Sequence, residues 1–427
     1  MDKPARSASG LPHPLTWVPS LYYTEGIPYI VVVSLSVIMY KRMGISNTDI
    51  ALYTSWLYFP WVIKPFWSPL VEVLRTKRFW IISMQLIMGA GFAGVALMLP
   101  LEGFFRYSLL FFWLLAFSSA THDIAADGFY MLGLRQNQQA FYVGFRSTFY
   151  RLAMITGQGL IVILAGLLET KVSLVLAWQI SLGVLAVIMI ALWLYHSFIL
   201  PKVEEEPTTK PDLQEILQEF VKVFVDFFQK KQILLILGFL LLYRLGEAQL
   251  VKMTSPFMLD ARADGGLALS TQAVGTIYGT IGVIALVLGG ILGGVLASIN
   301  GLKYWIWWMA IAINVPNGLY ILLAHHQPES ILLIAGSVAI EQFGYGFGFT
   351  AFMLFLIYVA DGKHKTAHYA LGTGFMAMGM MFPGMASGWI QQQLGYENFF
   401  IWVLIATIPG FILIKFLHID PAFGKKK

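Results

Sequence analysis

His122, Asp123 and Asp127 stand inside FSSATHDIAADGFYMLGL (117–134), a stretch otherwise apolar enough to cross a lipid bilayer. A carboxylate at the centre of a bilayer costs several kcal/mol or more, so a chain that keeps one there has a use or a partner for it. The two aspartates are four residues apart and therefore share one helix face. Ionised together they repel, and one of them is expected to hold a proton. His122 adds a group that titrates natively in the range a proton gradient reaches. Such a constellation does proton exchange or meets the charge of a solute.

Other charges lie at comparable depth. Glu25, Glu247 and Glu341 join the two aspartates, and Lys64, Arg146, Arg151, Arg244 and Lys252 oppose them, five acids against five bases. Structural ion pairs between helices are one reading of that balance, and Arg244 with Glu247, three residues apart, is the expected pair. The bases of GFRSTFYRLAM (144–154) are the nearest to answer the aspartates, with Arg146 and Tyr150 on one face and Arg151 on another. Glu25 precedes Gly26 and Pro28, which loosen a helix as expected where irregular backbone lines a cavity. Tyr22, Tyr23 and Tyr29 surround it, and Trp56, Tyr58, Trp61 and Lys64 follow in the next segment. Aromatic rings with polar handles suit sugar faces, and the bases suit carboxylates. The competing reading of these rings is an interfacial belt. Trp305, Trp307 and Trp308 fit that belt better.

The elements that position these residues are membrane spans. Hydrophobic residues make up 58% of the chain and charged residues 12%, against about 25% charged in soluble domains, and the mean hydropathy is +0.70. A hydrocarbon slab of about 30 Å asks for about 20 apolar residues per helix. About twelve such stretches are found, at 15–40, 49–70, 78–100, 106–134, 140–168, 174–200, 232–259, 270–298, 302–324, 330–360, 366–394 and 398–417. One set of loops holds most of the Lys and Arg, while the other holds only Lys41, Arg42, Arg106, Lys171 and Arg262. The positive-inside rule then places both termini in the cytoplasm, and the +5 formal charge reflects this bias rather than a nucleic-acid footprint. The first apolar run is longer than a signal-peptide core, so no cleaved leader is expected. With no cysteine and no metal spacing among eight histidines, disulfides, thiol chemistry and a metal site are not expected.

The chain divides near its middle. Residues 1–200 are expected to form one six-helix bundle, 201–231 a cytoplasmic linker, and 232–427 a second six-helix bundle. The linker opens with KVEEEPTTKPD and continues as DLQEILQEFVKVFVDFFQKK, whose Leu213, Ile216, Leu217, Phe220, Phe224, Phe227 and Phe228 have the period of one helix face. Asp212 with Glu215 forms a plausible capping box, and the helix is expected to lie on the membrane surface. LYYTEGIP (21–28) is echoed by LYRLGEAQ (242–249), and SNTDIALY (46–53) by STQAVGTIY (270–278). An all-α integral membrane protein of 12 spans in two related bundles is the plan of a major facilitator transporter, with its site between the halves.

At KPFWSPLVEV (64–73) and SATHDIAADGFY (119–130) the chain resembles the AmpG-type muropeptide permeases and related acetyl-CoA transporters of the major facilitator superfamily. Members carry Lys-x-x-Trp-Ser/Ala-Pro-Leu-x-Asp after the second span and Ala-Ser/Thr-Gln-Asp-Ile-x-x-Asp in the fourth. Lys64, Trp67, Ser68, Pro69 and Leu70 match the first string, and Asp123, Ile124 and Asp127 the second; His122 stands where Gln is usual and Glu72 where Asp is usual. The resemblance implies proton-driven import of anhydro-muropeptides (GlcNAc-anhydroMurNAc with short peptides) across a bacterial inner membrane by a monomer among lipids, with no cofactor besides the proton gradient. Asp123, Asp127, His122 and Glu25 are then the proton-coupling candidates. Tyr22, Glu25, Trp56, Lys64, Asp123, Arg146, Tyr150, Arg151, Arg244, Glu247 and Glu341 are the substrate-binding candidates, and Trp67, Pro69, Glu72 and Arg75 the gating motif. Another bulky anion, acyl-CoA-like or a siderophore, fits the same chemistry. A non-transporting sensor would usually add a soluble domain. An enzyme is not expected, since Asp127 follows Ala125-Ala126 rather than the Gly-x-Gly of aspartyl intramembrane proteases, and no His-Glu-x-x-His occurs.

Overall fold

Six of the helices open in the way their sequences dictate. Ser46, Thr76, Ser173, Ser270 and Ser330 each accept a hydrogen bond from the backbone N–H three residues on, and His13 caps the first helix with Pro14 behind it. Each hydroxyl cap is worth about 1 kcal/mol and fixes where a span begins. The computed structural model describes residues 12–203, 213–362 and 364–426. The charged linker run with Asp212, the Glu215 and Glu72 side chains, and Lys3, Arg6, Lys363 and Lys427 lie outside the described residues.

Among the described residues the regular structure is all helix, and ten helices are long and apolar enough to cross a membrane. One of them, Lys365–Phe416, has 52 residues, about 78 Å at the helical rise, more than twice the hydrocarbon thickness. It doubles back at Gly395, whose φ of 72° and ψ of 170° interrupt the helix; glycine alone takes that backbone without strain. It therefore supplies the eleventh and twelfth spans. Asn47–Trp56 and Phe59–Leu74 form the second span, broken at Leu57-Tyr58 ahead of Pro60. The others are Pro14–Arg42, Lys77–Met98, Phe104–Gly133, Asn137–Glu169, Leu174–Ile199, Ile233–Leu259, Thr271–Asn300, Leu302–His326 and Ile331–Val359, completing the twelve.

Spans one to six pack on one another, as do seven to twelve, and the two bundles meet where the second span lies on the eleventh and the fifth on the eighth. Three spans widen into a π-helical turn, at Val31–Leu35, Ile155–Leu160 and Ile277–Gly282, a distortion frequent at functional sites. Gly26 lets the first span close on the fifth: a Cβ there would stand 2.7 Å from that of Ala153.

The seam is stapled on the face away from the linker. Asp260 takes Lys41 at 2.5 Å and the Tyr396 hydroxyl at 2.6 Å, while Asn47 donates to Gln391 (2.8 Å) and to the Tyr396 oxygen (2.9 Å). Thr48 donates to Gln392 at 2.7 Å, and Glu169 holds both Arg42 (2.9 Å) and Thr271 (2.8 Å). On the opposite face the linker helix Leu213–Phe228 sets Phe220 and Phe224 against Phe66 of the second span, and stacks Phe227 on Phe375 of the eleventh. The expected surface helix thus spends its aromatic stripe on protein, where Phe227 is fully buried, bridging the two bundles. Because the chain has no native cysteine, Thr48→Cys with Gln392→Cys gives a clean pair across the stapled seam. A short thiol cross-linker is expected to join them in high yield and to arrest the import that the resemblance implies until it is cleaved. Free passage with the link in place would show that this seam does not open.

Candidate functional site: a charged cluster at the centre of the first bundle

Three carboxylates converge from two spans: Glu25 from the first, and Asp123 and Asp127 from the fourth, each offering an oxygen within 4.8 Å of the others. The four-residue spacing aims both aspartates at the same place, and Gly26 and the π-turn bring Glu25 to them. Two bases answer. Lys64, from the broken second span, pairs with Asp123, and Arg146 Nη2 lies 2.7 Å from Asp127 Oδ1. Tyr22 donates its hydroxyl to the same Asp127 oxygen at 3.2 Å, and the Arg146 guanidinium lies over the Tyr22 ring, 4.4 Å from its centre.

Glu25 is buried, has no base within ion-pair distance among the described residues, and leaves its Oε2 without a partner there. Three acids against two bases leave one negative charge in excess, and an uncompensated buried charge is strongly destabilising. A proton on Glu25, the acid that neither base pairs, would remove that excess. By number the same oxygens could seat a metal ion, but Lys64 and Arg146 already supply positive charge there. Exposure rises from 20% for Lys64 and Asp123 to 34% for Arg146 and 37% for Asp127, toward the linker-side ends of the fourth and fifth spans. The cluster is more accessible toward that side than toward the stapled one.

Lys64 and Arg146, expected to meet the charge of a solute, are already taken by the aspartates of their own bundle. The bases without a carboxylate within ion-pair distance among the described residues are others. Arg151 reaches only the Met154 sulfur, at 3.6 Å. Arg244 donates to the Tyr345 hydroxyl at 2.5 Å and lies over the Tyr345 and Phe349 rings. Lys252 donates to Thr54 across the seam at 2.9 Å and faces the Tyr58 ring. Tyr29, Tyr58, Tyr150 and Tyr345 stand within electrostatic reach of Arg151 or Arg244, so tyrosines gather around two guanidinium groups that no acid among the described residues engages.

The expected Arg244–Glu247 pair does not form. The seventh span breaks at Tyr243-Arg244, turning Arg244 toward Tyr345 and leaving both Glu247 oxygens without a partner among the described residues. Glu341 is buried and bonded to Tyr320 and Gln342. His122 turns away from the aspartates: its Nε2 meets the Gln85 amide at 3.0 Å, and Gln85 in turn meets His196, a polar clasp between the third, fourth and sixth spans. Trp56 is exposed and rests on Phe59. Trp67 packs near Phe117 and Arg75 lies over Phe79, with Pro69 within the helix between them. Tyr345, absent from the sequence-based candidates, follows Glu341 by four residues and so shares its face, a legible signal.

The Major Facilitator Superfamily profile matches residues 26–361. The chain is 25% identical over 360 residues to the anhydromuropeptide permease of Escherichia coli (strain K12), covering 83% of this chain and 70% of that one. It is 24% identical over 409 residues to the putative transporter AmpG 4 of Rickettsia conorii, covering 92% and 94%. Among solved structures, a POT family transporter in complex with 5-aminolevulinic acid superposes with a TM-score of 0.72 at 12% identity, over 96% of this chain and 97% of that one. That likeness concerns the fold.

Removing one member of a half-buried pair strands the other. Lys64→Met is expected to cost about 1–3 kcal/mol, below the 3–5 of a fully buried pair because water reaches this one. Adding Asp123→Asn should recover at least half of the lost thermal stability in purified protein. Losses that simply add would show that the two side chains do not interact.

Proposed function

This chain belongs to the Major Facilitator Superfamily, and from that premise we propose that it imports anhydro-muropeptides across a bacterial inner membrane, coupled to proton entry. The observation that carries the reading is the charge imbalance at Glu25, Asp123 and Asp127, set beside the unpaired Arg151 and Arg244 at the seam. A proton neutralises the surplus carboxylate, and the unpaired guanidiniums receive carboxylates of the solute. A disaccharide bearing a short peptide offers both groups the site lacks, sugar faces for the tyrosines and carboxylates for the arginines. The similarity to the E. coli permease supports that choice of substrate over other bulky anions.

In this reading the stapled face is periplasmic and the linker face cytoplasmic, which agrees with the distribution of Lys and Arg among the loops. The conformation is then the one that releases cargo inward. Outward opening breaks the contacts of Asp260, Asn47 and Glu169 across the seam and re-forms contacts on the linker side. Loss of the proton from Glu25 leaves a surplus negative charge in a low-dielectric slot. That state is costly and must re-protonate or rearrange before the next cycle.

Uptake of labelled anhydro-muropeptide into proteoliposomes is expected to rise with an inward proton gradient and to collapse when the gradient is dissipated. Arg151→Gln is expected to raise the half-saturating concentration roughly 10-fold, the effect of one lost charged hydrogen bond, without loss of folding. Gradient-independent uptake would remove the coupling. Absence of uptake by folded protein would move the assignment to another bulky anion.

A further inference from the structure

Away from the span ends each bundle carries acids, but among the described residues only in the first are any of them paired with bases. In the second bundle Glu247 is completely buried, and neither of its oxygens has a partner among the described residues. Burying an ionised carboxylate without hydrogen bonds is among the costliest arrangements a protein can hold.

The groups facing Glu247 are few. Arg244 precedes it by three residues on its own span, yet the guanidinium is engaged by the Tyr345 hydroxyl and the Tyr345 and Phe349 rings. From the tenth span come Tyr345 and Glu341, and from the eighth Tyr278, all within electrostatic reach. The ninth contributes Tyr320, bonded to Glu341 rather than to Glu247. On the twelfth-span side, Gly246 lies against the uncharged Val403 and Thr407. The first turn of the helix beginning at Leu245 holds Glu247, where the helix dipole favours negative charge, but that effect is small beside full burial.

We propose that Glu247 is a second proton-carrying site, and that its proton keeps Arg244 available to the solute's carboxylate. Protonated, Glu247 makes no claim on Arg244, which stays on Tyr345 at the seam. On losing the proton to water, the carboxylate takes Arg244 three residues back along the chain, and the solute's carboxylate is released. One guanidinium thus serves either the cargo or Glu247, and the proton decides which. This rests on the proton-coupled reading above and adds to it a second proton per solute.

The test separates the two. Infrared spectra of the purified chain in lipid nanodiscs at neutral pH report protonated carboxyl groups whether or not anything is transported. Glu247→Gln is expected to remove a carbonyl band at the high frequency of an acid without hydrogen bonds, a band that Glu25→Gln leaves in place. In proteoliposomes the thermodynamic proton-to-solute ratio is expected to fall from about two to about one in Glu247→Gln, each proton adding its own share of the gradient. An unchanged carbonyl region would mean that Glu247 is ionised and would overturn the proposal, as would an unchanged ratio. Should the Gln variant fail to fold, Glu247→Met is read the same way. Wild-type uptake indifferent to the gradient would instead sink the proton-coupled reading, while the band would still report Glu247.

Discussion

Unpaired charge in a low-dielectric interior is the constraint on which this structure depends. Glu25, Asp123 and Asp127 crowd within 4.8 Å of one another with, among the described residues, only Lys64 and Arg146 to answer them. The surplus charge falls on Glu25, which neither base pairs and whose Oε2 has no partner there, and a proton on it would offset the penalty. The backbone departures of the first bundle serve that meeting. Pro28 and the π-turn after it interrupt the regular α-helical bonding of the first span, Gly26 lets it close on the fifth, and the second span, broken before Phe59, carries Lys64 to Asp123.

The same constraint explains the separation of tasks between the two sides of the seam. Bases that no acid pairs are stable only where aromatic faces, hydroxyl groups or water soften their isolation; Arg244 and Lys252 have rings and hydroxyls beside them, and Arg151 reaches the Met154 sulfur. A ligand bringing carboxylates would find them unengaged by acids. The staples around Asp260 and Glu169 lie at the far end of the same seam and join opposite bundles, while the charged cluster gains exposure toward the other face. The linker helix, packed on Phe66 and Phe375, ties the second and eleventh spans together on that side.

Much of this was legible from residue order. Composition, loop charge and apolar run length gave the twelve spans, because bilayer thickness sets a length that sequence displays directly. The four-residue spacing of Asp123 and Asp127 predicted a shared face, and Glu25 before Gly26 and Pro28 marked a distorted helix; the structure joins all three acids. What failed was partner choice. Arg244 and Glu247 look paired at helical spacing, but a break at Tyr243-Arg244 abolishes the helix that would pair them. His122, adjacent to Asp123 in the chain, lies on another face and belongs to Gln85 and His196, residues 37 and 74 positions away. The linker's apolar stripe was visible, but not whether lipid or protein would cover it. Pairing is decided by tertiary approach, which periodicity does not encode.

The most direct test of the central claim is to replace the titratable carboxyl group of Glu25 by an amide. Glu25→Gln keeps the shape but has no proton to release. Measured side by side in proteoliposomes, exchange of labelled for unlabelled solute should persist in this variant. Gradient-driven accumulation should fall to simple equilibration. Uphill accumulation at the wild-type level by Glu25→Gln would contradict the account, because a proton on Glu25 would then have no part in coupling.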